Sequence, residues 1–118
     1  MILVDTSLWI DHLRKGNAEL ASLLNEGAVL CHPFVIGELA CGNLKNRENI
    51  LSLLGALPMS TLASHEEVLR LVSDRKLHDK GLGWIDMHLL ASALLSNSAL
   101  WTKDKNLAAA ARELKTGA

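Results

Sequence analysis

Four carboxylates lie beside apolar residues, where a single buried charge would be costly. They are Asp5, Glu38, Asp86 and Asp104. A lone carboxylate buried in such surroundings costs several kcal/mol and usually takes up a proton instead. Several carboxylates that converge can share a divalent cation, and a ligand set made only of oxygen atoms favours Mg²⁺ or Mn²⁺. The four acids therefore predict a site for one of these divalent cations.

Each of the four acids also has a purely structural interpretation. Asp5 and Asp104 would be suitable caps for the helices that follow them, and Asp86 would suit the first turn of a helix. Glu38, with no other charge between residues 33 and 42, would need a buried Lys or Arg partner. One shared metal site explains all four positions more simply than four separate roles do.

Strand and helix patterns alternate along the chain. Short apolar runs predict strands at residues 2–4, 28–31, 58–62 and 99–102. Helices are predicted at about 8–15, 17–26, 33–42, 46–57, 64–77, 84–96 and 106–114, with a capping box at Ser64 and Glu67. This alternation predicts one α/β domain over residues 1–118, with a central parallel sheet flanked by helices.

The predicted topology gives the acids a place to meet. In an open α/β sheet, ligands bind beyond the carboxyl ends of the strands. Asp5 ends the first strand and Asp104 follows the last one. If those two strands are neighbours, one edge of the sheet gathers all four acids, with the hydroxyls of Thr6, Ser7 and Thr102 on the same rim.

Composition narrows the class of protein. The formal charge is −1, so a polyanion would need a local basic patch rather than a global field. No apolar stretch approaches the roughly 20 residues of a membrane span, and the N-terminus lacks a signal-peptide pattern. Cys31 and Cys41 lie in apolar segments and are interpreted as buried, reduced thiols, which predicts a cytoplasmic protein without membrane association.

Some residues near the predicted rim are candidates for nucleic-acid contact. The basic ones are Arg14, Lys15, Lys45, Lys80, Lys103 and Lys105. Each is suited to a phosphate contact, although an ordinary solvated surface explains any one of them alone. Aromatic residues are scarce, and the tryptophans are interpreted as core. That composition argues against a base-stacking platform.

The segments that carry these residues resemble the PIN-domain ribonucleases, and more narrowly the VapC-type toxins of bacterial toxin–antitoxin pairs. The matching segments are Val4 to Ile10, Ile36 to Leu39, Gly83 to Ala91 and Thr102 to Asp104. They are spread over residues 4–104, so the resemblance covers nearly the whole chain. The set in this order is specific, whereas any one segment alone would be a weak signal.

The resemblance implies a catalytic and metal-binding role for Asp5, Glu38, Asp86 and Asp104. It places the hydroxyls of Thr6 and Thr102 at the same site. The implied activity is Mg²⁺- or Mn²⁺-dependent endoribonuclease cleavage by metal-activated water, leaving a 5′-phosphate and a 3′-hydroxyl. The implied sheet has four to five strands, but only three residues follow Lys115, so a fifth strand would be missing or short.

The resemblance also implies an RNA substrate, a cognate antitoxin and a homodimer formed through the helices at 46–57 and 64–77. The antitoxin would dock between the early helices and the 46–57 helix and insert an Arg or Lys into the acidic pocket. Two other classes stay open. One is a catalytically silent RNA-binding or regulatory module. The other is a phosphoacceptor receiver, which is disfavoured because residues 59–62 supply no Asp after the third strand.

Overall fold

The computed structural model describes residues 1–118 and contains three short parallel strands. They are β1 (Ile2–Val4), β2 (Val29–Leu30) and β3 (Ala99–Trp101). The strand order is β2-β1-β3, so the first and last strands are direct neighbours. Leu3 pairs with Leu30 on one side and with Leu100 on the other. The α/β class is therefore confirmed, and the condition that the two site-bearing strands are neighbours is met.

Seven helices cover this sheet. They are α1 (Thr6–Lys15), α2 (Ala18–Asn25), α3 (Pro33–Ala40), α4 (Arg47–Gly55), α5 (His65–Asp74), α6 (Trp84–Leu95) and α7 (Lys105–Glu113). The capping box is present: Ser64 Oγ accepts from the Glu67 amide, and Glu67 accepts from the Ser64 amide. Gly16 ends α1 with φ of 79°, a left-handed value that glycine adopts without strain.

The sheet is smaller than the predicted four to five strands. Residues 58–62 contribute only one bridge, between Met59 and Cys31. The Thr61 amide turns away from the sheet and donates to Ser96 Oγ, which ends the pairing. At the other edge, Gly117 forms a single bridge with Leu100. Each outer position of the sheet is therefore occupied by an isolated bridge instead of a strand.

The core is built around β1, β3 and α6. Leu3, Val4 and Leu100 are buried in the sheet, and residues 87–93 of α6 are buried without interruption. A helix that is apolar on all sides is expected in such a position. Cys31 is buried as expected, but Cys41 is exposed at the end of α3, so that part of the prediction was wrong. No helix has both the length and the apolar character needed to cross a membrane.

Candidate active site

Asp5 is held firmly at the carboxyl end of β1. It is 7% exposed and caps α1, because its Oδ1 accepts a hydrogen bond of 2.7 Å from the Thr6 amide. Its Oδ2 accepts from Thr102 Oγ1 at 2.7 Å and from Ser7 Oγ at 3.1 Å. Three donors from two neighbouring elements therefore fix the orientation of this carboxylate.

Thr102 connects Asp5 with Asp104. It follows β3, and its hydroxyl accepts a bond of 3.0 Å from the Asp104 amide while it donates to Asp5. Asp104 is the N-cap of α7, with Oδ1 accepting from the Leu107 amide at 2.9 Å. Asp104 therefore caps α7 and is linked to Asp5 through the Thr102 hydroxyl.

Glu38 reaches this edge from α3. Thr6 Oγ1 donates to Glu38 Oε1 at 2.6 Å, which joins the first turn of α1 to the second turn of α3. Glu38 is exposed, so its predicted burial was wrong. The apolar neighbours that suggested burial, Val35 and Leu39, face the core instead.

Asp86 lies in the first turn of α6, where its Oδ2 accepts from the Gly83 amide at 2.9 Å. Partial burial raises the pKa of the Asp86 carboxyl, and the Gly83 hydrogen bond opposes that rise. The charges of Asp5, Asp104 and Glu38 each raise the same pKa further. The fourth acid thus lies within electrostatic reach of the other three, as the predicted topology required.

Three of the four acids have a structural role in addition to their place at the candidate site. Asp5 and Asp104 are helix caps, and Asp86 accepts a hydrogen bond from the backbone. None of the three ion pairs in the structure includes any of the four acids, so the buried-pair interpretation of Glu38 does not hold. None of the four carboxylates is neutralised by a direct ion pair.

The carboxylate oxygens of the four acids are donor atoms that suit a divalent cation. Glu38, Asp86 and Asp104 each use one carboxylate oxygen in a protein hydrogen bond. The second oxygen of each is available to an incoming ligand. No three of the side chains stand close enough to hold a cation among themselves alone. That arrangement suits Mg²⁺, which binds one or two carboxylates directly and keeps several waters.

A line of aromatic and imidazole rings lies between α3, α5 and α6. Phe34 contacts His88, which contacts Trp84, which contacts His65, with ring centroids 4.8 to 5.1 Å apart. Phe34 and Trp84 are each 40% exposed, whereas Trp9 is in the core. The expectation that the tryptophans are core residues is therefore wrong for Trp84. Spacing along one helix could not indicate this cluster, because its members come from three.

His32 positions the helix that carries Glu38. It is the N-cap of α3, and its Nδ1 accepts a bond of 3.0 Å from the Phe34 amide, so the proton of the neutral ring is on Nε2. Nε2 is buried without a hydrogen-bond partner. Burial lowers the pKa of His32 to about 4, and the charge of His88 lowers it in the same direction.

This depressed pKa makes folding stability depend on pH. In the unfolded chain the ring takes up a proton near its usual pKa of 6.5, whereas in the folded chain it stays neutral down to about 4. We therefore expect the free energy of unfolding to fall as the pH drops from 6.5 to 4, by roughly 3 kcal/mol in total. Urea midpoints over this range measure the loss. The His32→Asn variant keeps a capping acceptor and should show a shallower pH slope; an unchanged slope would contradict the assignment.

A groove with a volume of about 690 Å³ runs beside Glu38, between α1, α3 and α4. Its apolar lining residues are Ile10, Leu13, Leu39, Leu44 and Ile50. Its lining also includes Arg14, Lys45 and Glu38 itself, so the groove opens onto one carboxylate of the quartet. The predicted docking position between the early helices and the 46–57 helix corresponds to this groove.

Comparison with known proteins gives matches over nearly the whole chain. Residues 2–113 match the PIN domain family. The chain is also 51% identical over 114 residues to a protein named Ribonuclease VapC32 in two strains of Mycobacterium tuberculosis, CDC 1551 / Oshkosh and H37Rv. Each alignment covers 96% of this chain and 92% of the relative.

Proposed function

This chain belongs to the PIN-domain family and, within it, to the VapC type, and from that premise we propose that it is a metal-dependent endoribonuclease. We further propose that it is the toxin of a toxin–antitoxin pair. The observation that carries the catalytic part is the convergence of four unpaired carboxylates from four elements on one edge of the sheet. The pKa of Asp86, raised by burial and by all three of the other acids, expresses that convergence.

In this proposal the four acids together hold a divalent cation, one or two of them by direct contact and the others through its bound waters. When bound, Mg²⁺ or Mn²⁺ supplies Lewis-acid activation of water and stabilises charge on the phosphate. Asp5, fixed by three hydrogen bonds, provides a rigid ligand. Thr102 keeps the Asp104 backbone in register with Asp5, and Thr6 turns Glu38 toward the edge. Thr6 and Thr102 are positioning residues in this scheme.

The reaction that suits these groups is hydrolysis of an RNA phosphodiester. Water adds to phosphorus, the bond to the 3′-oxygen breaks, and the products carry a 5′-phosphate and a 3′-hydroxyl. Glu38 and Asp86 each have a carboxylate oxygen without a protein partner, which is suited to orienting the attacking water and accepting its proton. No Ser or Cys nucleophile is needed.

Metal removal provides the direct test. Pure protein treated with EDTA should remain folded, because the hydrophobic core and the capping bonds do not involve the cation. We expect it to lose RNA cleavage and to regain it when Mg²⁺ or Mn²⁺ is added. Cleavage of a labelled RNA and far-UV circular dichroism measure the two properties. EDTA-resistant cleavage would overturn the mechanism, and no cleavage with any divalent metal would favour the catalytically silent module.

The proposed partner is a small cognate antitoxin that occupies the groove between α1, α3 and α4. Apolar antitoxin side chains would pack against Ile10 and Ile50, and a basic side chain would approach Glu38 from the open end. Such a side chain would compete with the cation for the carboxylates, which explains inhibition without any rearrangement of the fold. We propose that the protein acts in the cytoplasm, where its RNA substrate is available.

Self-association is expected to produce a homodimer that leaves the acidic edge open. Leu53 on α4 and Leu69 on α5 are apolar and exposed on the helices for which dimerisation was predicted. Burial of such side chains between two copies is favourable. Sedimentation velocity at micromolar concentration should show a dimer, and Leu69→Lys should shift it toward monomer. A wild-type protein that remains monomeric would contradict this expectation.

A further inference from the structure

One acid outside the quartet holds two lysines at once. Asp11 Oδ1 lies 3.4 Å from Lys103 Nζ and 3.4 Å from Lys15 Nζ. The Asp11 side chain is only 17% exposed, whereas both lysines are largely exposed. Burial raises the pKa of the Asp11 carboxyl, but the hydrogen bonding and the charges of Lys103 and Lys15 together outweigh burial, so that the pKa is lowered. We call these three residues the Asp11 cluster.

The Asp11 cluster adjoins the carboxylate edge. Lys103 stands between Thr102 and Asp104 in sequence, and its amide donates to Ser7 Oγ at 3.1 Å. Ser7, Asp11 and Lys15 succeed one another at intervals of four residues, so they lie on one face of α1 about one turn apart. The cluster therefore continues the site along α1, with Lys103 at the near end and Lys15 at the far end.

The acidic quartet and the adjoining Asp11 cluster have net charges of opposite sign. The quartet has a formal charge of −4, while the cluster has +1, from two lysines and one aspartate. An RNA strand whose scissile phosphate lies at the quartet must place its neighbouring phosphates outside that repulsive region. The cluster offers positive charge next to that region, because Lys103 directly precedes Asp104 and its amide donates to Ser7 Oγ.

We propose that the Asp11 cluster binds a backbone phosphate of single-stranded RNA next to the scissile position. Lys103 and Lys15 contact the phosphate, and Asp11 is a positioning residue that holds both ammonium groups on one face of α1. This inference rests on the proposed ribonuclease function. It adds a substrate subsite that uses the backbone and is therefore insensitive to base identity.

Asp11 explains why the cluster is more than two surface lysines. A free lysine side chain has about 2 kcal/mol of rotamer entropy, and ordering it during binding weakens affinity. A shared carboxylate restricts both side chains before the RNA arrives. Exposed ion pairs contribute only about 0–1 kcal/mol to folding, so stability alone is a weak reason for this arrangement.

The test uses the intact chain in EDTA, with binding of a short fluorescent single-stranded RNA followed by anisotropy as the salt concentration varies. Lys103→Ala and Lys15→Ala should each weaken binding severalfold. Loss of the phosphate contact should reduce the slope of log affinity against log salt by about 0.7. The matched control is Lys115→Gln, which removes an exposed lysine just beyond the end of α7, the helix that begins at the acidic edge and runs away from it. This control should leave both affinity and slope close to wild type.

The decisive variant is Asp11→Asn, because the two explanations of the lysines' role predict opposite changes in RNA affinity. If the lysines act only through net charge, removing the Asp11 carboxylate adds one positive unit and tightens RNA binding. If Asp11 positions them, binding weakens severalfold, and KM for cleavage rises while kcat is unchanged. Tighter binding by Asp11→Asn, or equal effects of Lys103→Ala and Lys115→Gln, would overturn the proposal. Failure of the wild type to cleave RNA would instead count against the proposed function, and the anisotropy result would still decide the subsite.

Discussion

The Asp86→Asn variant is expected to lose RNA cleavage by at least about a hundredfold while melting no lower than the wild type. Removal of a carboxylate from a cation site takes away several kcal/mol of transition-state stabilisation. The stability expectation follows from the raised pKa of Asp86, since burial and three neighbouring acids already disfavour its charged form. The Asn carbonyl can still accept the Gly83 amide, so the helix start is preserved.

Single-turnover cleavage and thermal melting, each with and without Mg²⁺, measure both effects. Asp74→Asn is the matched control, because Asp74 is an exposed acid at the end of α5, outside the quartet. It should change neither property. A lower melting temperature for Asp86→Asn with cleavage retained would show that Asp86 is only a helix-start residue.

Asp5 would behave differently from Asp86 in the same experiment. From the sequence, both acids are equivalent members of a repulsive group. In the structure Asp5 is buried and accepts three hydrogen bonds, whereas Asp86 accepts one. Hydrogen bonds to a charged group contribute about 1.5–3 kcal/mol each, so loss of activity in Asp5→Asn would be mixed with loss of stability. Asp86 is therefore the cleaner probe of the metal hypothesis.

The strands, and the acids that follow them, could be predicted because the relevant signals are local. The apolar run Ile2–Val4 is followed directly by Asp5, and the run Ala99–Trp101 ends three positions before Asp104; parallel strands deliver those ends to the same edge. The capping patterns at Ser64 and Asp104 likewise depend on residues three positions apart. Such signals do not depend on how the rest of the chain folds.

Features that join distant elements could not be predicted in the same way. The bond from Thr6 to Glu38 connects positions 32 residues apart, and it shows that Glu38 faces the sheet edge. Its apolar neighbours suggested burial because sequence does not show which side of a short helix faces the core. The Asp11 cluster is a similar case, since Lys103 and Asp11 meet only after β3 is placed beside β1.

A large loss of antitoxin binding is expected when an apolar residue of the groove beside Glu38 is replaced by a charged one. Ile10 lines the groove and is 43% exposed, so Ile10→Asp should fold normally while placing a charge against the proposed apolar face of the antitoxin. A buried, unpaired charge at an interface hot spot costs at least about 2 kcal/mol, which weakens binding roughly thirtyfold or more. The quartet is untouched, so RNA cleavage by the variant should remain. Expressed with its antitoxin, Ile10→Asp should arrest growth where the wild-type pair does not.

Leu95→Asp is the matched control for this experiment. Leu95 is 47% exposed and ends α6, which begins at the acidic edge and runs for 12 residues, or roughly 18 Å, away from it. Antitoxin should still neutralise this variant.

A pull-down with the product of the adjacent gene measures antitoxin binding directly. Changing basic residues of the antitoxin to Ala separates groove packing from competition at Glu38. Full neutralisation of Ile10→Asp would show that the antitoxin binds elsewhere. If the antitoxin without those basic residues still binds tightly and inhibits fully, docking in the groove remains supported. The proposed competition with the cation is then excluded.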